Sequence, residues 1–343
     1  MSDTHYSIEA RGLTKFYGAT AAIKNVSFTV SPGEIVGFLG PNGAGKSTTL
    51  RILSGLLRAD RGEAFVAGTS VARCPNRVKK SLGYMPENNP LPEDLRVIEY
   101  LRHRARLKGL SARRARARID TVLEACDLQR TARRKLIGAL SKGYRQRVGL
   151  ADAILAEPEV TILDEPTIGL DPHQVVQIRK LIDALRGRTT VILSSHILAE
   201  VEISCDRVII LNQGVIVASG PPAALRQEFF PGSHYEVEVA GSGGLLEAAA
   251  GTLGRECSLE QFPDEETGPE GFRRVRLHYP GDDEVSESLL AALTAQRDLR
   301  VRSFRRSHPT LEDIFLAATR RSWEIETELA TRAAGSPQPT SPR

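Results

Sequence analysis

The stretch GPNGAGKST, at residues 40–48, places three glycines, one lysine and two hydroxyl side chains within nine positions. It matches the pattern G-x-x-x-x-G-K-[ST], in which glycines let successive backbone N–H groups turn towards phosphate oxygens. The positive end of a following helix would add to this field. We therefore expect Lys46 to contact the β- and γ-phosphates of ATP, and the Ser47 hydroxyl to ligate Mg²⁺. The residues of this loop that are predicted to bind ATP are Gly40, Pro41, Asn42, Gly43, Ala44, Gly45, Lys46, Ser47 and Thr48.

Two carboxylates and an imidazole follow apolar segments further along the chain. Asp164 and Glu165 end the strand-like run in VTILDEP, and His196 ends TTVILSSH. Because α/β sheets bind ligands at the carboxyl ends of their strands, we expect these three side chains at the phosphate site. Asp164 is predicted to hold Mg²⁺, directly or through water, and Glu165 to polarise the attacking water. His196 is predicted to hold the γ-phosphate and that water in line.

A second stretch suited to phosphate, LSKGYRQR, begins at Leu140. Ser141 and Gly143 at the start of a helix would present a hydroxyl group, free N–H groups and the positive end of a helix dipole to an anion. The γ-phosphate already has partners in the glycine-rich loop, Mg²⁺ and His196, all from one chain. A second anion-binding surface is explained if it closes over ATP held by another subunit, which requires a two-fold dimer.

Strands and helices must position these motifs, and hydrophobic periodicity predicts them. An apolar strand ending near Leu39 precedes the glycine-rich loop, and a helix follows it. The region 93–155 has a helical pattern with two Arg-rich segments and no strand pattern. Strands are predicted within 7–30, 62–71, 160–166 and 189–196, and a hairpin with Gln-Gly at its turn within 207–220.

The composition changes after FFPGS, and a smaller second domain is predicted there. Strand and helix patterns follow in the order β-α-β-β-α-β, which is typical of a ferredoxin-like α+β domain. We expect a first domain over 1–230, with a helical subdomain at about 90–155, and the second domain over 231–325. The tail 331–343 is rich in Pro and Ser and is predicted to be disordered.

The overall composition is that of a globular protein. The chain has 343 residues, of which 41% are hydrophobic and 26% charged, and its net charge is +4. No apolar run approaches the roughly 20 residues that cross a bilayer, and the N-terminus lacks the pattern of a secretory signal. The four cysteines lie at least 50 residues apart, which argues against a metal site or a disulfide framework and favours a reducing cytosol.

Together the motifs closely resemble those of the ATP-binding cassette (ABC) family. GPNGAGKST, LSKGYRQR, VTILDEPTIGLDP and LSSH are similar to its Walker A, signature, Walker B with D-loop, and H-loop motifs, in the family's order. The resemblance covers about residues 7–225. It implies an α/β P-loop NTPase fold with a RecA-like core, an antiparallel β subdomain and an α-helical subdomain. It also implies that Tyr17 stacks on adenine and that Asp171 contacts the opposite subunit.

Three positions depart from the commonest family pattern. Lys142 and Tyr144 replace the first glycine and the glutamine of the usual LSGGQ signature, while Ser141 and Gly143 are kept. These four residues are expected to complete the partner's ATP site. Glu87 stands in LGYMPENNPL where the family's Q-loop usually has glutamine; its carboxylate can still ligate Mg²⁺ but lacks the amide donor. The LSKGY form and the closing HPTLEDIFLAATR segment are similar to cassettes of ABC-2-type exporters, including gliding-motility and drug-export types.

The span 102–118 holds eight Arg or Lys residues. A solvated helix face is the simplest interpretation. Because the helical subdomain of this family faces the membrane subunit, contact with acidic lipid headgroups or with a partner's coupling helix is the functional interpretation. Nucleic-acid binding is disfavoured, since no aromatic residues are interleaved with the basic ones.

The resemblance implies an ATP-binding and ATP-hydrolysing subunit of an ABC-2-type exporter. A homodimer or heterodimer of such subunits would enclose two ATP molecules and drive separate polytopic membrane subunits, at the cytoplasmic face of the inner or plasma membrane. The alternative is an ABC ATPase that powers mechanical work, maturation, or a process on nucleic acid or ribosomes. Translation-type members carry two cassettes per chain and chromosome-maintenance members a long coiled coil, and neither pattern is found in this sequence.

Overall fold

A computed structural model describes residues 6–241, 257–261, 271–279 and 285–321 of the chain. The chain forms two compact units, one from the residues up to Pro222 together with those from Ala318 onwards, and the other from Ala223–Ala317. No helix within the four described ranges is long and apolar enough to span a bilayer.

The first unit is built from both strands and helices. Its strands are β1 (Ile8–Tyr17), β2 (Thr20–Val30), β3 (Ile35–Leu39), β4 (Arg61–Val66), β5 (Thr69–Ser70), β6 (Leu82–Met85), β7 (Val160–Asp164), β8 (Thr190–Ser194), β9 (Arg207–Asn212) and β10 (Val215–Gly220). Its helices are α1 (Lys46–Leu53), α2 (Pro75–Ser81), α3 (Val97–Leu107), α4 (Ala112–Ala125), α5 (Lys142–Ile154), α6 (Pro172–Leu185) and α7 (Leu198–Ser204).

The central sheet has six strands in the order β10-β9-β3-β8-β7-β6. All neighbours are parallel except β9 and β10, which form an antiparallel hairpin. Every residue of β3, β7 and β8 is buried, as expected for parallel strands covered on both faces. The strand before His196 lies beside the strand that ends at Asp164, as predicted. The carboxyl ends of β3, β7 and β8 therefore carry the predicted phosphate-site residues to one edge of the sheet.

Strand β6 was not predicted from the sequence. It has only four residues and pairs with β7 at the edge of the sheet. A run of this length is too short to show a reliable period. The strand delivers the following residues, including Glu87, to the same edge of the sheet as Asp164.

A second sheet, antiparallel and in the order β2-β1-β4-β5, confirms the strands predicted within 7–30 and 62–71. Its inward residues Ile8, Leu13 and Ile23 are fully buried and belong to one hydrophobic cluster with Leu50 and Leu53 of α1. This shared core holds the sheet against the helix that follows the glycine-rich loop.

Helices α3, α4 and α5 confirm the helical pattern predicted within 93–155. Helix α4 begins after Ser111, whose hydroxyl accepts a hydrogen bond from the backbone N–H of Arg114, an N-cap that satisfies one free donor of the first turn. Its buried residues Ala115, Ile119 and Val122 recur at helical spacing and leave the arginines on the outer faces.

The predicted hairpin within 207–220 is present as β9 and β10. Gln213 and Gly214 both have positive φ, at 47° and 82°. Two consecutive left-handed residues are the requirement of a type I′ turn, whose twist matches that of the flanking strands.

The second unit contains α8 (Pro222–Phe229), β11 (Ser233–Ala240), β12 (Ser258–Gln261), β13 (Arg273–Tyr279), α9 (Ser286–Ala295) and β14 (Arg300–Ser307). A further helix, α10, covers 311–321. The four strands form an antiparallel sheet in the order β12-β13-β11-β14, the order expected of a ferredoxin-like domain. Leu289 and Leu293 of α9 pack on Tyr235, Val237 and their neighbours to form its core. The helix predicted over GLLEAAAGTL and the tail 331–343 lie outside the described residues.

Candidate functional site

A cavity of about 660 Å³ lies at the carboxyl edge of the central sheet. This volume falls in the range of small-molecule sites. Residues from distant parts of the chain line it, namely Ala22, Pro41, Asn42, Gly43, Ala44, Gly45, Lys46, Ser47, Thr48, Glu87, Glu165, Ile168 and His196. The structure thus brings the glycine-rich loop, Glu87, Glu165 and His196 together, and adds Ala22 and Ile168, which were not predicted as site residues.

The glycine-rich loop closes around the ammonium group of Lys46. Nζ of Lys46 donates hydrogen bonds to the carbonyl oxygens of Gly40, at 2.6 Å, and Pro41, at 3.2 Å. A Cβ atom at Gly40 would lie 2.5 Å from the carbonyl oxygen of Leu211, and Gly45 caps α1 with φ at 102°. These glycines permit a tight backbone turn at the N-terminus of α1, where unpaired N–H groups and the helix dipole favour phosphate. The loop therefore fits the phosphate chain of ATP.

Lys46 is 7% exposed. Burial lowers the pKa of its ammonium group, while the carboxylates of Glu165, Asp164 and Glu87 oppose that shift. One lysine thus stands among three carboxylates. Since a phosphate chain adds further negative charge, a cation bound beside it would offset the repulsion from these carboxylates.

The hydroxyl of Ser194 connects the two carboxylate residues that follow β7. It donates to Oδ1 of Asp164 at 2.6 Å and accepts from the backbone N–H of Glu165 at 2.9 Å. Asp164 is only 2% exposed, and burial raises its pKa, while hydrogen bonds from Ser194 and Ser47 oppose the rise. Ser194 was not predicted as a site residue. Its position at the end of the strand next to Asp164 could have indicated it.

Glu165 and His196 are joined directly. Oε2 of Glu165 and Nδ1 of His196 are hydrogen bonded at 2.6 Å. The Glu165 side chain is 9% exposed, whereas that of His196 is 52% exposed. Glu165 also adopts a left-handed backbone conformation, with φ at 52°, which is uncommon for a residue other than glycine. The hydrogen bond was not predicted, and it fixes the orientation of the carboxylate at the cavity.

The donor set at this edge of the sheet fits Mg²⁺. The Ser47 hydroxyl bonds with the Asp164 carboxylate, and the Glu87 carboxylate lines the same cavity. Hard cations of this size prefer oxygen ligands of these kinds, together with water and phosphate. The three predicted metal-site residues therefore offer oxygen donors at one place.

The signature residues lie apart from this cavity. Ser141 is exposed and precedes α5, and its side chain makes no capping hydrogen bond to the helix. Lys142 is exposed and Gly143 is buried, while Tyr144 stacks under the Arg147 guanidinium at 5.2 Å. Ser141, Lys142, Gly143 and Tyr144 do not line the cavity at the glycine-rich loop. Ser141 and Lys142 at the start of α5 are thus exposed to solvent.

The start of α6 lies against the start of α5. The Asp171 carboxylate caps α6 by accepting a hydrogen bond from the backbone N–H of Gln174 at 2.9 Å. A Cβ atom at Gly143 would lie 2.0 Å from Oε1 of Gln174. The Arg147 side chain, which is 7% exposed, donates to Gln177 one turn further along α6. The signature and D-loop segments therefore form one packed surface.

Tyr17 does not reach the cavity. It ends β1 at the turn of the β1–β2 hairpin, opposite Thr20. Its side chain is 50% exposed and is not among the residues that line the cavity. Stacking of Tyr17 on adenine stays a prediction.

Comparison with known proteins accounts for both units. The ABC transporter family profile matches residues 23–168. A profile described as the C-terminal domain of DrrA1-3-like ATP-binding proteins matches residues 220–319. Among solved structures, the ATP-binding subunit of an ABC transporter is 34% identical, covers 65% of this chain and 92% of that one, and has a TM-score of 0.61. A bacterial ABC transporter cassette solved as a dimer is 26% identical, covers 62% of this chain and 98% of its own, and has a TM-score of 0.58.

Two of the curated relatives described next match almost the whole chain, and a third matches about two thirds of it. The daunorubicin resistance ATP-binding protein DrrA2 of Streptomyces coeruleorubidus is 35% identical over 92% of this chain and 95% of its own. The linearmycin resistance ATP-binding protein LnrL of Bacillus subtilis is 32% identical over 92% of this chain and 99% of its own. The Nod factor export ATP-binding protein I of a Rhizobium species is 38% identical over 65% of this chain and 73% of its own. On the strength of these alignments, the chain belongs to the ATP-binding proteins of ABC transporters and is an ATPase.

Proposed function

We propose that this chain is the ATP-hydrolysing subunit of an ABC-2-type exporter whose membrane-spanning part is on separate polytopic chains. The observation that carries the proposal is the meeting of Lys46, Asp164, Glu165 and His196 at one edge of the central sheet. Relatives named for daunorubicin resistance, linearmycin resistance and Nod factor export support export as the process. The membrane subunits would select the cargo.

The residues of the cavity divide the chemistry among them. Lys46 and the glycine-rich loop bind the phosphate chain, and Tyr17 takes the adenine. Asp164, Ser47 and Glu87 would hold Mg²⁺, which when bound offsets the charge of the phosphates. The Glu165 carboxylate accepts a proton from the attacking water, and His196 orients that carboxylate through their 2.6 Å hydrogen bond.

Two copies, or one copy and a related subunit, would enclose two ATP molecules. Ser141, Lys142, Gly143 and Tyr144 complete the partner's site, and Asp171 contacts the partner beside them. The exposed Ser141 and Lys142 at the start of α5, and the packed surface that this end of the helix shares with α6, support this arrangement. The solved dimer of a related cassette supports it as well. Closure on ATP and opening after hydrolysis would drive the membrane subunits.

In this proposal the protein works at the cytoplasmic face of the inner or plasma membrane, held there by its membrane subunits, and nucleic acid is not a partner.

The test is recovery of the tagged full chain from membranes in mild detergent, followed by mass spectrometry of the bound proteins. We expect a polytopic membrane protein at near-equal stoichiometry. Recovery of ribosomes or nucleic acid without such a protein would overturn the exporter assignment.

A further inference from the structure

A groove of about 350 Å³ lies between α3 and α4, away from the ATP cavity. It is lined by four arginines, and we call it the arginine groove. They are Arg102 and Arg106 of α3, Arg116 of α4, and Arg133. Its floor is apolar and consists of Ile98, Leu110, Ala112, Ala115 and Ile119.

Other arginines of the same two helices are held in ion pairs with α5 and the turn after it. Arg104 pairs with Asp152 at 2.9 Å. Arg114 and Arg118 pair with Glu157 at 2.9 Å and 3.1 Å. These arginines serve the packing of the helices, so their charges need no external partner.

The arginines of the groove, unlike those paired with Asp152 and Glu157, have few acidic partners. The one acid that lines the groove, Asp120, pairs with Arg133 at 2.7 Å. Arg102, Arg106 and Arg116 are exposed, and their side chains form no hydrogen bond or ion pair with another described residue. Three guanidinium groups therefore converge on a groove whose single carboxylate is already neutralised.

This arrangement opposes helix stability in the free protein. Arg102 and Arg106 are one turn apart on α3, and like charges at that spacing destabilise a helix. An anion bound in the groove would relieve the repulsion. Because the planar guanidinium group matches the geometry of phosphate and carboxylate oxygens, these two groups are the candidate ligands.

The size and the floor of the groove favour a lipid headgroup over a peptide. A volume of about 350 Å³ holds less than one turn of a helix about 10 Å in diameter. A phosphodiester headgroup fits this space, and its glycerol carbons can rest on the apolar floor. We propose that the arginine groove binds the phosphate of an anionic phospholipid, so that α3 and α4 contact the membrane surface directly.

Vesicle co-sedimentation of the full chain tests this contact at one fixed salt concentration. Phosphatidylcholine vesicles with and without phosphatidylglycerol are the probes. Each arginine near an anionic surface contributes about a fivefold change in affinity, so Arg102→Ala, Arg106→Ala and Arg116→Ala together should weaken binding to the anionic vesicles about 100-fold. The chain should bind phosphatidylcholine alone only weakly.

The matched control carries Arg113→Ala, Arg130→Ala and Arg134→Ala. These side chains are exposed, lie in the same helical region and do not line the groove, so the net charge changes equally. We expect this triple variant to keep most of the binding. Both triple variants should retain the ATPase activity of the unmodified chain, which shows that each has folded.

Equal losses in the two triple variants would overturn the proposal, because general charge would then explain the binding. Failure of the unmodified chain to prefer anionic vesicles would overturn it as well. Binding of a Glu-rich peptide through the same three arginines, without vesicle binding, would identify a protein partner and contradict the lipid assignment. None of these results depends on recovery of a membrane subunit, so they are separable from failure of the exporter function.

Discussion

Glu87 and Lys142, which carry opposite charges, line one cavity of about 410 Å³ between the segment after β6 and the start of α5. At both positions the chain departs from the commonest ABC pattern, with glutamate in place of glutamine and lysine in place of glycine. A neutral residue at either position would leave the other charge without this neighbour. The two departures therefore bring opposite charges to the lining of one cavity.

We expect the effects of Glu87→Gln and Lys142→Ala on the rate of ATP hydrolysis to be non-additive. Exposed charge pairs contribute about 0.2–1 kcal/mol, and a coupling free energy of that size should appear in a double-mutant cycle. Lys180 of α6 is exposed and does not line this cavity. A cycle of Glu87→Gln with Lys180→Ala is the control, and it should be additive. Equal coupling in the two cycles would contradict a specific electrostatic interaction between Glu87 and Lys142.

Glu165→Gln is expected to keep ATP binding and to lose turnover by at least about 100-fold, because the amide cannot accept the proton of the attacking water. Bound but unhydrolysed ATP should also trap a dimer. Single-turnover hydrolysis and size-exclusion chromatography with ATP measure the two effects. Hydrolysis at the normal rate would show that Glu165 is not the base.

Glu159→Gln is the matched control for that variant. Glu159 is exposed and lies at the opposite end of β7 from Glu165. The same chemical change there should leave turnover and oligomeric state unaltered. A comparable loss with Glu159→Gln would assign the defect to β7 as a whole.

Much of the site was predictable because its residues belong to motifs that end apolar strands. Continuous apolar runs end at or just before Gly40, Asp164 and His196. Because the strands they form are parallel, their carboxyl ends lie at one edge of the sheet. The Gln213-Gly214 hairpin was likewise predictable, since its turn chemistry is local.

Other features depend on contacts between distant segments. The four residues of β6 show no usable period, and their strand pairing with β7 decides their conformation. The bridging role of Ser194 requires the register between β7 and β8. The 2.6 Å bond between Glu165 and His196 depends on the left-handed turn at Glu165, which a motif does not specify.

Gly83→Ala is expected to destabilise the protein by about 1–3 kcal/mol, the usual cost of overpacking. Gly83 lies in β6, where a Cβ atom would be 2.2 Å from the backbone carbonyl oxygen of Ala153 in α5. Backbone atoms of a packed helix cannot rotate away. Urea denaturation of the full chain measures the loss.

Gly143→Ala provides the contrast. The nearest atom to its new Cβ would be the amide oxygen of the Gln174 side chain, at 2.0 Å, and a side chain of this kind can rotate. Alanine is also favoured over glycine within a helix by about 1 kcal/mol. Stability should therefore fall less than in Gly83→Ala, and an equal loss would contradict the distinction between the two contacts.

His234→Gln should reduce the acid sensitivity of the second unit. His234 is 6% exposed, stacks on His278 with ring centroids 4.5 Å apart, and has no partner for Nδ1 among the described residues. Burial, followed by the charge of His278, lowers the pKa of His234 from 6.5. Because this pKa is lower in the folded chain, the unfolded chain binds more protons than the folded chain as the pH falls below about 6.5. The free energy of unfolding therefore decreases from its value above about pH 6.5 as the pH falls towards the folded pKa.

Denaturation midpoints and hydrogen exchange of β11 and β13, measured above and below about pH 6.5, test this effect. The fall in stability on acidification should be shallower in His234→Gln than in the unmodified chain. His173→Gln, at an exposed position of α6, should leave the pH dependence unchanged. Identical acid profiles for all three proteins would contradict a role for His234.

Glu165, which lines the cavity, has a left-handed backbone conformation with φ at 52°, and this conformation costs free energy. A side chain in this conformation costs about 1–3 kcal/mol, whereas glycine adopts it freely. Replacement of Glu165 by glycine would relieve this strain, but it would also remove the carboxylate that is hydrogen bonded to His196 and increase the entropy of the unfolded chain. The conformation that presents this carboxylate to the cavity is therefore kept at a cost in stability, which the rest of the fold must offset.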